Sequence, residues 1–91
     1  MEKRIGVIAI LVSKKESVPA LNSVLSDYGE IVFGRQGLPF HDIGINVISL
    51  IVKGDTDQMG ALTGKLGRIN GISVKSVLTP YREKEDESSQ S

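Results

Sequence analysis

The sequence predicts an α+β sandwich of the ferredoxin-like kind, in which two helices cover one face of a four-stranded antiparallel sheet. The periodicity of apolar residues gives the element order strand, helix, strand, strand, helix, strand (βαββαβ). The first and third strand candidates are apolar on both faces, whereas the second and fourth carry glycine or polar residues. The split βαβ arrangement explains both facts, because it places the first and third strands at the centre of the sheet.

The first strand is predicted over residues 4–13, where apolar side chains occupy both alternating sets of positions. The first helix follows over residues 17–28, with apolar residues at helical spacing. Ser17 is a suitable N-cap, and Pro19 lies in the first turn, where proline is tolerated. Gly29 stands where a glycine C-cap ends a helix.

The second strand, residues 30–36, contains Gly34 and Arg35, which suit the edge of a sheet. A proline and two glycines then predict a loop over residues 37–44. The third strand, residues 45–53, is again apolar on both faces and is therefore predicted to be central.

The second helix, residues 56–68, opens on a D-x-x-Q capping box formed by Asp55 and Gln58. Its inner stripe is predicted to consist of Met59, Leu62, Leu66 and Ile69. The fourth strand, residues 72–79, alternates apolar and polar residues in its first half, which is typical of an edge strand with one solvated face.

Composition limits the possible functions. A chain of 91 residues is long enough for one domain, which we predict over residues 1–79. Residues 80–91 are predicted to form a disordered polar tail. There is no cysteine, which excludes disulfides, iron–sulfur ligation by thiolate and thiolate zinc sites. Eleven basic residues balance eleven acidic ones, so direct nucleic-acid binding is not expected. The apolar run at residues 5–12 is too short to span a bilayer, and we expect a cytoplasmic protein with no membrane partner and no cofactor.

The two central strands carry Ile, Leu and Val on both faces, but two helices can cover only one face of the sheet. The other face would leave a large apolar patch in water, which soluble monomers avoid. We therefore expect a homodimer or a higher symmetric oligomer, in which this face packs against another subunit.

Three glycines, Gly60, Gly64 and Gly67, lie inside the second predicted helix, where each costs about 1 kcal/mol relative to alanine. At about 100° per residue they fall on one side of the helix, roughly 150° from the apolar stripe. One interpretation is an exposed flank that tolerates small residues. We favour the other, a surface that another chain or a ligand approaches closely, because glycine removes the side chains that would hold a backbone away.

The segment RQGLPFHD, residues 35–42, holds Arg35, His41 and Asp42 within eight residues of one another. A His–Asp pair can orient a base or a metal ligand. No serine, cysteine or second histidine lies nearby to complete a catalytic set, so we expect neither catalysis nor a metal site here. The histidine is either simply solvated or contacts a ligand at a subunit interface.

Two segments, GRQGLPFHD at residues 34–42 and GDTDQMGALTGKLGRINGISVKSVLT at residues 54–79, resemble the small proposed regulators of the iron-only hydrogenase system. The resemblance covers nearly all of the chain before the tail, and GALTGKLG is its most specific part. These proteins are similar to ACT-like domains and to the C-terminal oligomerisation domain of nickel-responsive repressors. The resemblance implies a ferredoxin-like fold, oligomers and a role in controlling hydrogenase genes or maturation.

The sequence departs from the related families at two places. Amino-acid-binding ACT domains typically have a glycine in the turn after the first strand, but here that turn reads SKKESVPAL, and a D-x-x-G-x-L echo appears instead at Asp57, Gly60 and Leu62. Nickel repressors bind metal through several histidines and a cysteine, whereas this chain offers only His41. The resemblance therefore implies neither an amino-acid site at that turn nor a nickel site.

The favoured hypothesis is a non-enzymatic, oligomeric regulatory module that binds a small molecule or a protein partner. The predicted elements use essentially all of residues 4–79, which leaves no room for a DNA-reading motif. Two alternatives stay open: a small dimeric ferredoxin-like enzyme that uses Arg35, His41 and Asp42 in an interface pocket, and a purely structural assembly subunit.

Overall fold

The computed structural model describes residues 2–83. The elements in chain order are β1 (Lys3–Val12), α1 (Val18–Asp27), β2 (Val32–Phe40), β3 (Ile45–Gly54), α2 (Thr56–Gly67) and β4 (Ile72–Glu83). The sheet has the strand order β2-β3-β1-β4, and every neighbouring pair is antiparallel. The predicted ferredoxin-like sandwich is therefore confirmed, with the first and third strands at its centre.

The core lies between the two helices and one face of the sheet. Successive strand residues point to opposite faces, so alternate positions of the central strands enter the core. The strands contribute Ile8, Ile10, Val12, Ile48, Leu50 and Val52, and the helices contribute Leu21, Leu25, Met59, Leu62 and Leu66. Burying one such side chain fully contributes about 1.5–3 kcal/mol, so this aliphatic layer is the main source of stability.

The turn between β1 and α1 differs from the predicted helix start. A single 3₁₀ turn, Lys15–Ser17, precedes α1, and Ser17 makes no side-chain capping bond. The buried Ser17 hydroxyl donates instead to the Asn70 carbonyl oxygen, and the Ser13 amide donates to the Gly71 carbonyl oxygen at 2.9 Å. The predicted cap therefore ties the turn before α1 to the turn before β4.

The start of α2 agrees with the sequence. The Gln58 amide donates to Asp55 Oδ1 at 2.7 Å, and the Asp55 amide donates to Gln58 Oε1 at 3.0 Å. This is the predicted capping box, which satisfies two amides that have no partner inside the helix.

The loop predicted over residues 37–44 is wrong for its first half. β2 continues to Phe40, and only residues 41–44 form a turn, in which Gly44 has a φ of 69°. Pro39 is compatible with this strand because β2 lies at the edge of the sheet, where one side of the backbone has no neighbour to bond.

The predicted boundary at residue 79 also needs correction, because β4 continues to Glu83. Arg4 explains the extension: its guanidinium donates to the carbonyl oxygens of Thr79 and Tyr81 at 3.0 and 3.1 Å. These bonds hold β4 against β1 across a shift in pairing register. The rest of the predicted tail, residues 84–91, lies outside the described residues.

Candidate functional site

The glycines of α2 lie on a flank against which none of the described residues packs. A Cβ built on Gly60, Gly64 or Gly67 would meet no atom within 4 Å outside the helix's own backbone. The buried stripe of α2 faces the core with Met59, Leu62 and Leu66, as predicted. The fourth residue of the predicted stripe, Ile69, follows the end of the helix and packs partly buried against the core.

The glycine flank forms one wall of a groove, and β4 forms the other. We call it the α2–β4 groove; its volume is about 600 Å³. β4 is an edge strand, so the outer side of its backbone has no neighbouring strand within the described chain. The lining residues are Gly60, Thr63, Gly64, Gly67, Ile72, Ser73, Val74, Lys75 and Ser76.

The sheet face opposite the helices is largely apolar, and no other element formed by residues 2–83 covers it. We call it the open face. It is the face that carries Gly34, Ile51, Val7 and Val77, which lie side by side across β2, β3, β1 and β4, together with every second residue along each strand from them. Six large apolar side chains on it are between 36% and 67% exposed: Val7, Leu11, Leu38, Phe40, Ile51 and Val77. Their exposure follows from the two helices both covering the other face.

One end of the open face is polar. Lys53 Nζ lies 2.7 Å from Glu83 Oε1, and the Tyr81 hydroxyl donates to the same oxygen at 2.9 Å. The hydrogen bond from Lys53, followed by that from Tyr81, lowers the pKa of Glu83. The same contacts raise the pKa values of Lys53 and Tyr81, so all three groups favour the paired, charge-balanced state.

The residues predicted from the β2–β3 loop do not converge within one chain. The Arg35 guanidinium donates to Asn22 Oδ1 on α1 at 2.9 Å, on the helix side of the sheet. His41 lies in the turn after β2 and lines a separate cleft of about 330 Å³ with Lys15 and Asn46. Asp42 is exposed in the same turn and does not line that cleft.

Among residues 2–83, no three His, Asp or Glu side chains come together in a way that would hold a metal ion. Neither helix within that range is long and apolar enough to cross a bilayer.

The sequence and the fold together identify the family. Residues 4–76 match the model of the TM1266-like family, whose description reads "Iron-only hydrogenase system regulator, putative". The chain belongs to the TM1266-like family. The resemblance inferred from residues 34–42 and 54–79 is therefore confirmed. No curated protein matches the sequence.

Solved structures agree with this TM1266-like assignment. The uncharacterized protein TM1266 from Thermotoga maritima is 35% identical and matches with a TM-score of 0.80, over 84% of this chain and 96% of that one. The ACT domain from the GTP pyrophosphokinase of Chlorobium tepidum has a TM-score of 0.61 at 20% identity, covering 82% of this chain and 86% of that domain. The C-terminal domain of MgtC from Mycobacterium tuberculosis has a TM-score of 0.64 at 10% identity, covering 90% and 94%. The last two similarities concern the fold alone.

Two parts of these surfaces were absent from the sequence-based site. The sequence-based site did not include the β4 wall of the groove. The sequence does predict that the fourth strand lies at an edge and that the second helix has a glycine flank, but it does not show that the two are neighbours. The polar end of the open face was missed because Tyr81 and Glu83 were assigned to the tail. Val77, Tyr81 and Glu83 have the even spacing of residues on one face of a strand, but Pro80 lies between them and weakens the strand prediction.

Proposed function

We propose that this protein is a non-enzymatic regulatory module of the iron-only hydrogenase system that forms homo-oligomers in the cytoplasm and binds a protein partner or a small molecule. Membership of the TM1266-like family supports the regulatory part. The observation that carries the oligomeric part is the open face, with its exposed apolar side chains. Soluble monomers rarely leave such a contiguous patch in water.

The open face has the size that a contact between two copies needs. Four strands about 4.8 Å apart, each about nine residues long with a rise of about 3.3 Å, present roughly 600 Å². Covering that area on two copies removes about 1,200 Å² from water, which is at the lower end of the range for specific interfaces. We therefore assign a second copy of the chain to this face.

The α2–β4 groove is the surface we assign to an effector or a protein partner. The absence of side chains at Gly60, Gly64 and Gly67 lets a backbone come close to α2. The free edge of β4 offers backbone donors and acceptors that an extended segment could pair with. Both properties favour a partner presented through its main chain.

A different class of function, a small enzyme with an interface pocket, would need Arg35, His41 and Asp42 to act together. Within one chain Arg35 is held by Asn22 while His41 lines another cleft, which gives this alternative little support. A second subunit could still bring a ligand to His41. A purely structural assembly subunit is the remaining alternative, and it would show no cavity between subunits in a structure of the assembly.

Regulation through a partner is preferred to direct DNA binding. The sheet and the two helices use nearly all of the described residues, so the described chain has no further helix to place in a DNA groove. A gel-shift assay with the protein's own promoter region is expected to show no specific complex at physiological salt. Tight and specific binding under those conditions would overturn this part of the proposal.

The oligomeric part is tested by the mass in solution. Light scattering at micromolar concentration should give at least twice the chain mass of 9.8 kDa. Val77→Asp puts a charge on the open face and should return the mass to that of one chain. Ile43→Asp is the matched control, because Ile43 is similarly exposed but lies in the turn outside the strands. A monomeric mass for the unmodified chain would contradict the proposal.

The regulatory part is tested in the source organism by deleting the gene and measuring hydrogenase transcript and activity. Deletion should change at least one of the two, and Val77→Asp should reproduce part of the change. Unaltered transcript and activity after deletion would reject the regulatory part and leave the oligomeric part standing.

A further inference from the structure

The two outer strands of the open face carry different side chains at the same level of the sheet. The pairing register defines three rows across the strands in the order β2, β3, β1, β4. The first row is Gly34, Ile51, Val7 and Val77; the second is Gln36, Ser49, Ala9 and Lys75; the third is Leu38, Val47, Leu11 and Ser73.

The ends of these rows complement each other in size and polarity. In the first row β2 has Gly34 where β4 has Val77, and in the third row β2 has Leu38 where β4 has Ser73. A copy whose β2 lay over β4 of the other copy would therefore place a large side chain opposite a small one at both levels. Interdigitation of this kind is what close-packed sheet interfaces require.

Two symmetric ways of stacking the open faces must be distinguished. If the twofold axis runs along the strands, β2 of one copy lies over β4 of its partner and each row faces the same row. If the axis runs across the strands, β2 lies over β2, β4 lies over β4, and the first row faces the third. In both cases each large side chain at a row end faces a small one of the partner, so side-chain size does not distinguish the two arrangements.

Charge decides between them. With the axis across the strands, Lys75 faces Lys75 of the partner subunit, and the polar end with Lys53 and Glu83 lies over the apolar end with Phe40 and Ile45. Like charges facing each other and a desolvated ion pair against apolar side chains both weaken an interface. With the axis along the strands, Lys75 meets the Gln36 side chain of the partner, whose carbonyl oxygen accepts a hydrogen bond from the ammonium group.

We infer that two copies pack open face to open face about a twofold axis parallel to the central strands, so that β2 of each copy covers β4 of the other. This arrangement rests on the proposed oligomer and names its geometry. It leaves the α2 wall of the α2–β4 groove accessible, because Gly60, Gly64 and Gly67 lie on the helix side of the sheet, whereas Ser73 and Lys75 on the β4 wall point to the open face and are covered.

Thiol crosslinking tests this arrangement, because the chain contains no cysteine of its own. The facing sheets should be about 10 Å apart, so a short bismaleimide is suitable and a direct disulfide is not. Leu38→Cys and Ser73→Cys are made separately, both leaving Lys75 in place, and the two proteins are mixed under conditions that allow subunit exchange. The mixture should give a crosslinked dimer several-fold more abundant than either variant alone.

Gln36→Cys alone serves as the opposing probe. In the inferred arrangement its two copies are separated sideways by about three strand spacings, or roughly 14 Å, and should not crosslink. In the alternative arrangement they face each other and should crosslink efficiently. A dimer by light scattering with an efficient Gln36→Cys crosslink, or without the mixed crosslink, would overturn the inferred geometry and leave the oligomer intact. A monomer by light scattering would overturn both.

Discussion

The two faces of the sheet have similar apolar sequences but different surroundings, and Leu50 and Ile51 show the contrast at neighbouring positions of β3. Leu50 is fully buried beneath the helices, whereas Ile51 on the open face is 46% exposed. The folding of one chain explains why the first position is apolar. It does not explain the second, because an exposed isoleucine contributes little to the stability of a monomer and adds to an apolar patch. The difference supports the proposal that a second copy of the chain covers the open face.

The two faces also differ in how polarity is distributed. On the helix side, the described core contains one buried polar residue, Ser17, whose hydroxyl has a backbone partner. On the open face, Lys53, Tyr81 and Glu83 satisfy one another at one end, and a second set of polar residues, Gln36, Ser49 and Lys75, crosses the middle of the sheet.

The largest expected effect is a difference in the free energy of unfolding between substitutions on the two faces. Leu50→Ala should lower the free energy of unfolding by about 3 kcal/mol, because it removes buried methyl groups and leaves a cavity. Ile51→Ala should change it by less than about 0.5 kcal/mol at concentrations where the chain is monomeric. Urea denaturation followed by circular dichroism measures both. At higher concentration the unmodified chain should gain stability and Ile51→Ala should gain less, because only the oligomer buries Ile51.

Leu50→Met is the control for the first variant, because it conserves volume and should cost less than about 1.5 kcal/mol. Equal losses for Leu50→Ala and Ile51→Ala in the monomer would contradict the division of the sheet into a covered face and an open face.

A smaller change in the free energy of unfolding is expected for substitutions on α2, which also has one side packed on the core and one side exposed. Gly64→Ala should raise the free energy of unfolding by about 0.5–1 kcal/mol, because a Cβ there meets no atom within 4 Å and alanine favours the helix. Gly54→Ala is the matched opposite: its Cβ would lie 2.7 Å from Gln58 Oε1 and 2.9 Å from Ile31 Cγ2, so it should destabilise the chain. Thermal unfolding at low protein concentration measures both. Destabilisation by Gly64→Ala would mean that the α2–β4 groove is not open in the single chain.

The two faces of the sheet were predictable from the sequence, but not which of them the helices cover. Strand periodicity predicts which residues of β1 and β3 share a face, because successive side chains point to opposite faces regardless of their neighbours. Both faces of these strands are apolar, so the pattern does not distinguish the core face from the open face. The capping box at Asp55 and Gln58 was predictable, since its partners are three residues apart.

Long-range contacts account for what could not be predicted. β4 continues past Pro80 because Arg4, more than seventy residues earlier, binds the carbonyl oxygens of Thr79 and Tyr81. Arg35 donates to Asn22 on α1, which is distant in sequence from the segment that holds Arg35 and His41, so the two side chains do not share a site. Such partners are brought together by tertiary packing, which no local pattern in a single sequence encodes.

The smallest expected effect concerns the polar end of the open face and is a dependence on pH. Lys53 and Tyr81 lower the pKa of Glu83 below its ordinary value of 4.5. A carboxyl group with a lowered pKa in the folded state contributes stability above its unfolded pKa, and this contribution is lost as the pH falls through the folded pKa. Glu83→Gln should therefore lower the urea midpoint slightly near pH 7, and this difference should shrink as the pH falls below 4.5. The effect is small because the side chains of Lys53 and Glu83 are 33% and 28% exposed, and water screens the pair.

Lys53→Met provides the control for this last variant. In that background Glu83 has lost its closest charged partner, so Glu83→Gln should have less effect near pH 7 than it has in the unmodified chain. An effect of Glu83→Gln that is the same near pH 7 and near pH 3 would show that the carboxylate charge is not what stabilises this end of the face. If the oligomer covers the polar end, the loss near pH 7 should grow with protein concentration, because a covered ion pair is screened less than an exposed one.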